Sequence, residues 1–186
     1  MEENNSAENS FAYQRDVMEF VTVAVQYCAF LEDLEGRSRN QFVDMAVKLL
    51  PLLYIKGVLL PDLEPDESVS LQDTVTAENY DIVRSNIALT MGHYDDFLEV
   101  FVEDMAYSDT PVLATVSEYM ADIYQDIKNF AAVYRDSVTE VRMEALAECK
   151  DNFKHYWGQK LTCVLRALHD IRYNQKDEED DYAADL

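Results

Sequence analysis

The sequence predicts an all-α fold, an irregular antiparallel bundle of five to six helices with two long helices at the C-terminal end. Three observations lead there. Only four Gly and four Pro punctuate 186 residues, too few for the repeated tight turns of an all-β chain. Hydrophobic residues make up 48% of the sequence, enough to fill one core at this length. Over long stretches they recur at three- and four-residue spacing, the period of a single buried helix face.

The first helix is expected to start near Ser10, an N-cap residue type, and to run to about Leu34, with Val17, Val21, Ala24, Cys28 and Leu31 on one face. Gly36 ends it. A second helix starts near Asn40 and turns Phe42, Ala46, Leu49, Leu53 and Leu60 inward, with Pro51 expected to kink it and Pro61 to stop it. The acidic stretch from Asp62 to Asp73, which contains Pro65, is the one long loop.

Thr76 is placed to cap a third helix carrying Ile82, Val83, Asn86, Ile87 and Leu89, which finishes at Gly92. A short fourth helix is expected from about Tyr94 to Ala106. Thr110 before Pro111 then opens a fifth helix reaching Asp136, with Leu113, Val116, Met120, Ile123, Ile127, Phe130 and Tyr134 along its seam. At 1.5 Å per residue it spans roughly 40 Å and forms a spine. The last helix runs from about Thr139 to Tyr173 with Leu146, Cys149, Phe153, Trp157, Leu161, Val164, Leu168 and Ile171 on one seam. Gly158 interrupts it at a cost of about 1 kcal/mol relative to alanine, and close approach of another helix backbone, with Trp157 as a core anchor, is the expected compensation. Residues 1–9 read as a disordered leader, 10–174 as a single helical domain, and 175–186, containing DEEDD, as a disordered acidic tail.

The formal net charge is -22. Most of it is internal: between Gly57 and Ile127 there are sixteen acidic residues and one base, Arg84. Such a balance disfavours direct nucleic-acid binding, which needs a basic stripe for the phosphates. Three cysteines without close spacing suggest neither a disulfide framework nor a zinc knuckle. The N-terminal MEENNSAENS lacks the basic and apolar regions of a secretory signal. The most apolar stretch, Phe42 to Leu60, contains Asp44, Lys48, Pro51 and Lys56, which speaks against a membrane span. A cytoplasmic or equivalent reducing location is expected.

No motif announces catalysis. Neither GxSxG nor a Gly-rich phosphate loop occurs, and no cofactor is implied. His93, His155 and His169 show no metal-ligand spacing, and Glu-x-x-His is absent, so no metal site is expected. Glu118, Asp122 and Asp126 recur every four residues, with Glu118 and Asp122 read as facing away from the apolar seam and Asp126 as flanking it. Once carboxylates near helix starts (Asp73, Asp95, Asp96, Asp109) are set aside as complements to the helix dipole, Glu99, Glu103, Asp104, Glu118 and Asp122 remain as a candidate partner-binding surface.

Four segments carry a family resemblance: FVDMAVKLLP at 42–51, DIYQDIK at 122–128, YWGQKL at 156–161 and LRALH at 165–169. Together they resemble a bacterial family of uncharacterised helical proteins catalogued as a domain of unknown function, across roughly residues 11–174. The resemblance implies an all-α fold and brings no activity with it.

Two functional readings stand side by side. One is a non-enzymatic interaction or regulatory module whose acidic face docks a basic protein partner, following from the charge asymmetry. The other is a small-ligand binder or enzyme using a helical cleft near His155, Trp157 and Gln159, following from the glycine beside an aromatic. A third candidate, divalent-cation binding by the Asp62 to Asp73 loop, lacks the ligand spacing of an EF-hand.

Overall fold

Helices occupy the places that apolar periodicity assigns, with one exception that reorganises the middle of the chain. In the computed structural model, which describes residues 15–66, 68–99 and 112–174, the elements are α1 (Arg15–Glu32), α2 (Arg39–Leu59), α3 (Ala77–Met91), a 3-10 turn (Gly92–Tyr94), β1 (Asp96–Glu99), β2 (Val112–Thr115), α4 (Val116–Asp136), α5 (Thr139–Asn152), a π turn (Phe153–Trp157) and α6 (Gly158–Tyr173). The chain is therefore mainly α-helical, and α5, the π turn and α6 form one uninterrupted rod.

Local chemistry explains the ends. Ser38 accepts the Gln41 N–H while the Gln41 side chain accepts the Ser38 N–H, a capping box that opens α2 one residue before the expected start. Thr76 accepts the Asn79 N–H and caps α3 as expected, and Gly92, at φ 58°, closes it. Gly36 has φ 74°, which a side-chain-bearing residue adopts at a cost. The expected start at Ser10, the leader 1–9 and the tail 175–186 lie outside the described residues.

The predicted fourth helix is corrected. Asp96–Glu99 is a strand, paired antiparallel with Val112–Thr115 so that Asp96 faces Thr115, Phe97 faces Ala114, Leu98 faces Leu113 and Glu99 faces Val112. The start of the next helix moves accordingly: α4 begins at Val116, not after Thr110, and Leu113 sits exposed on β2 instead of on the helix seam. Thr115 ends the strand and caps the helix by accepting the Glu118 N–H. Asp95 reinforces this end, accepting the Ser117 N–H at 2.8 Å and the Ser117 hydroxyl at 2.6 Å.

The core gathers around α4, which packs on α1, α3, α5 and α6, while α2 lies against α1 and α6. Phe20, Tyr27, Leu50, Leu53, Met120, Ile123, Ile127 and Trp157 are fully enclosed. Tyr27 brings a hydroxyl into this interior and donates it to the Met120 carbonyl at 2.9 Å, so the buried oxygen is satisfied. Cys28 and Cys149 are buried free thiols, and burial pushes the Cys28 thiol up to about 12.

Gly57 on α2 lies in close approach to the long rod. A Cβ there would meet a Phe153 ring carbon and a Trp157 ring carbon, each at 2.9 Å. Beside it, Lys150 is 7% exposed and donates to the carbonyls of Gly57 at 3.1 Å and Val58 at 2.9 Å. α2 stops at Leu59 and Pro61 has no N–H to offer, so the Gly57 carbonyl keeps only a long 3.4 Å bond from the Leu60 N–H beside the lysine. A lysine from another helix thus caps the negative end of α2. The close approach expected at Gly158 is found one helix away, at Gly57.

Candidate functional site

Of the five acidic residues singled out from the sequence, three are described, and two of those three are buried. Glu99 is 6% exposed and accepts the Tyr119 hydroxyl, and Asp122 is 9% exposed. Glu118 is exposed in the first turn of α4, and Glu103 and Asp104 lie outside the described residues. A helical wheel assigns an outside only to a helix with a free side. Because α4 packs against four other helices, part of its polar side is interior too, and this corrects the reading of Asp122 as facing solvent.

Asp122 instead anchors a buried polar cluster. One carboxylate oxygen accepts the Tyr80 hydroxyl at 2.7 Å and the other is paired with the Lys160 ammonium of α6. Lys160 also lies 4.9 Å from the ring centre of Tyr119 and 4.6 Å from that of Tyr156. Burial opposes the charge on Lys160, but hydrogen bonding to Asp122 and the carboxylate's charge outweigh it and hold the ammonium above its usual value. Cys163, nearby on α6, is pushed up to about 11 by burial and by Glu99, the reverse of what an activated nucleophile needs.

His155, Trp157 and Gln159 do not line a common cleft. Successive odd positions on a helix point to different sides. Trp157 is fully buried between Phe20 and Phe153 and donates its indole N–H to the Cys149 carbonyl at 3.2 Å. His155 and Gln159 are exposed, and the imidazole sits 3.2 Å from the Asp151 carboxylate. The aromatic beside a glycine is a packing element, which corrects the ligand-cleft expectation at these three residues.

A concavity does exist on the other side of the rod, where α4, α5 and the segment before α3 meet. It encloses about 230 Å³, and its lining includes Asp73, Gln125, Asp126, Asn129, Glu148, Asn152 and Tyr156 together with Phe130 and Val133. Its walls are held by amides. Asn129 donates to Asp73 at 2.8 Å while its oxygen accepts the backbone N–H groups of Thr74 at 2.8 Å and Val75 at 2.9 Å. Asn152 donates to Asp126 at 2.8 Å.

Three carboxylates therefore face one polar hollow, and among the described residues none of them is in an ion pair. Burial raises the Asp126 carboxyl to about 6, against the Asn152 hydrogen bond and with added repulsion from Glu148, Asp122 and Asp73. Glu148 is raised as well, first by burial and then by Asp73 and Glu144. The carboxylates are spread around the hollow: among the described residues no group of three or more His, Cys, Asp or Glu is placed to hold a metal ion. Asp126 belongs to the four-residue acidic ladder and was read as flanking the seam. Asp73, Asn129 and Glu148 come from distant segments, and no local pattern connects them.

A family model described as a domain of unknown function, DUF5063, matches residues 11–174. Among solved structures, the crystal structure of protein BF1032 from Bacteroides fragilis is similar at 40% identity with a TM-score of 0.78, over 89% of this chain and 98% of that chain. No curated protein matches the chain. Among the described residues no helix is long and apolar enough to cross a membrane.

Proposed function

Since the chain belongs to the family described as DUF5063, a description that carries no activity, we propose from its own geometry that it is an interaction module whose hollow between α4 and α5 receives a basic side chain of a partner protein. The observation that supports this reading is Asp126, a carboxyl raised to about 6 with acidic neighbours and no counter-ion among the described residues. A group in that condition gains on meeting a cation: at 4 Å and an effective dielectric of 20 the attraction is about 4 kcal/mol before desolvation. Other enclosed carboxylates of this chain are met by a cation, as Asp122 is by Lys160, or by several donors, as Asp95 is by the Ser117 N–H and hydroxyl.

Size and lining favour one side chain over a larger ligand. About 230 Å³ lies below the range of roughly 300–1,000 Å³ typical of sites for drug-sized molecules. Carboxylates spread around the wall, together with the rings of Tyr156 and Phe130, suit a guanidinium or ammonium group, which is attracted by both. The acidic surroundings add long-range steering toward basic proteins.

Titrating the full chain with a short arginine- and lysine-containing peptide, followed by NMR of the carboxyl groups, tests the reading. Binding is expected to shift Asp126 and Glu148, to release protons near pH 6 and to weaken with salt. Asp126→Asn should lower affinity about tenfold or more. Peptide binding that leaves Asp126 unperturbed, or that persists unchanged in Asp126→Asn with Glu148→Gln, would sink it.

A further inference from the structure

The C-terminal half of α2 is apolar on every side. Its inner face buries Leu49, Leu50, Leu53 and Gly57, while Leu52, Tyr54, Ile55, Val58 and Leu59 are between 36% and 52% exposed. Met45, at 42%, extends this outer face by one heptad. Between Pro51 and Leu59 the only charged residue is Lys56, and it turns aside to pair with Glu19. At the upper end Lys48 is neutralised by Asp44 at 2.7 Å. In a chain with a net charge of -22, an uncharged apolar strip of this length is out of keeping with the rest of the surface. A helix hydrophobic all round is one whose outer face is covered in its working state.

We infer that this face is covered by the same face of a second copy, α2 against α2 across a two-fold axis. Area is the first reason. The exposed parts of these six side chains amount to on the order of 500 Å². A standard interface buries about 800 Å² per partner, of which somewhat more than half is apolar. The strip thus matches the apolar core of one ordinary dimer interface. Spacing is the second: Met45, Leu52 and Leu59 stand seven residues apart with Ile55 between them, a row that is its own complement when one helix is turned end for end. Local neutrality is the third, because the charges of α2 beside the row, Asp44, Lys48 and Lys56, are paired within their own copy.

The whole-chain charge opposes association at long range, and salt screens that repulsion. Dimerisation through α2 therefore strengthens with salt, whereas docking of a basic group in the α4–α5 hollow weakens. The two readings fail separately.

Sedimentation velocity of the full chain at about 0.05 and about 0.5 M salt should show a monomer–dimer equilibrium shifting toward dimer at the higher salt. Ile55→Glu and Leu52→Glu, both at exposed positions, should keep the helical circular dichroism and raise the dimer dissociation constant about 30-fold or more. Leu52→Cys, at the centre of the row, should cross-link two copies under mild oxidation, while Leu89→Cys, at 81% exposure on α3, should not. A monomer at all concentrations and salts would overturn the inference, and so would a dimer unaffected by both glutamates. Loss of dimer on adding neutral lipid vesicles, with the chain floating on them, would assign the face to a membrane surface and equally overturn it.

Discussion

Gly158 donates its N–H to the carbonyl of Phe153, five residues back, and a Cβ on Gly158 would lie 2.3 Å from that same oxygen. The π turn and the glycine are therefore one feature: the wider turn brings the carbonyl under the α-carbon, and only a residue without a side chain fits. In an ordinary helix Gly→Ala stabilises by about 1 kcal/mol. Here Gly158→Ala should destabilise by about 1–3 kcal/mol, the range for forcing an extra methyl into packed surroundings. Urea denaturation decides between them, and a stabilised variant would show that the turn relaxes to plain α-helix without loss.

Lys150 is the second place where one residue supplies what another element lacks. Lys150→Met keeps an unbranched apolar stem and removes the ammonium, which lies 5.4 Å from the Phe153 ring centre and makes both hydrogen bonds to the end of α2. The expected loss is about 2–3 kcal/mol, since one buried and one part-buried carbonyl lose a charged donor. Lys154, paired with Asp62 at 2.6 Å but with both side chains well exposed, is the comparison, and Lys154→Met should change stability by less than about 0.5 kcal/mol. Equal effects in the two melts would remove the capping role.

Helix positions were legible in the sequence because they are written locally. Thr76, Gly92 and the seam from Leu146 to Leu168 each carry their signal within a few residues. The hairpin was not, since Asp96–Glu99 finds its partner in Val112–Thr115, across an intervening segment, and the residues from Tyr94 onward satisfy a helical period equally well. Burial of Asp122 was illegible for a related reason: it depends on α4 being surrounded, which no single helix reveals. The hollow joins Asp73, Asp126 and Glu148 from three segments, and of these only Asp126 stood in a visible pattern.

Asp126 makes stability depend on pH in a direction opposite to that of most acids. The folded state binds a proton up to about 6, whereas the ordinary value is 3.8. Between those limits the folded chain holds more protons than the unfolded one, so this group's contribution falls as pH rises through the window and the penalty is complete above it. Asp126→Asn should therefore stabilise by on the order of 1–2 kcal/mol at pH 7.5, allowing for partial solvation, and by almost nothing near pH 4. Thermal melts of both proteins across this range measure it. A variant that is more stable yet binds the basic peptide less well is the expected signature of a residue kept for recognition.

Asp122 and Lys160 call for a different measurement, because single substitutions confuse the worth of a pair with the cost of orphaning its survivor. Asp122→Asn leaves an ammonium whose side chain is 22% exposed without its carboxylate, and Lys160→Met leaves a carboxylate that is 11% exposed without its ammonium. Each should cost about 2–4 kcal/mol, toward the range for breaking a buried pair. Asn at 122 still accepts the Tyr80 hydroxyl, so the double variant loses the ion pair but not that bond. The double variant should consequently cost about 1–2 kcal/mol less than the two singles together, the coupling expected of groups in direct contact. Additivity within about 0.5 kcal/mol would mean that Tyr119 and Tyr156, not Asp122, hold the Lys160 charge, and that the cluster is an aromatic cage instead of a salt bridge.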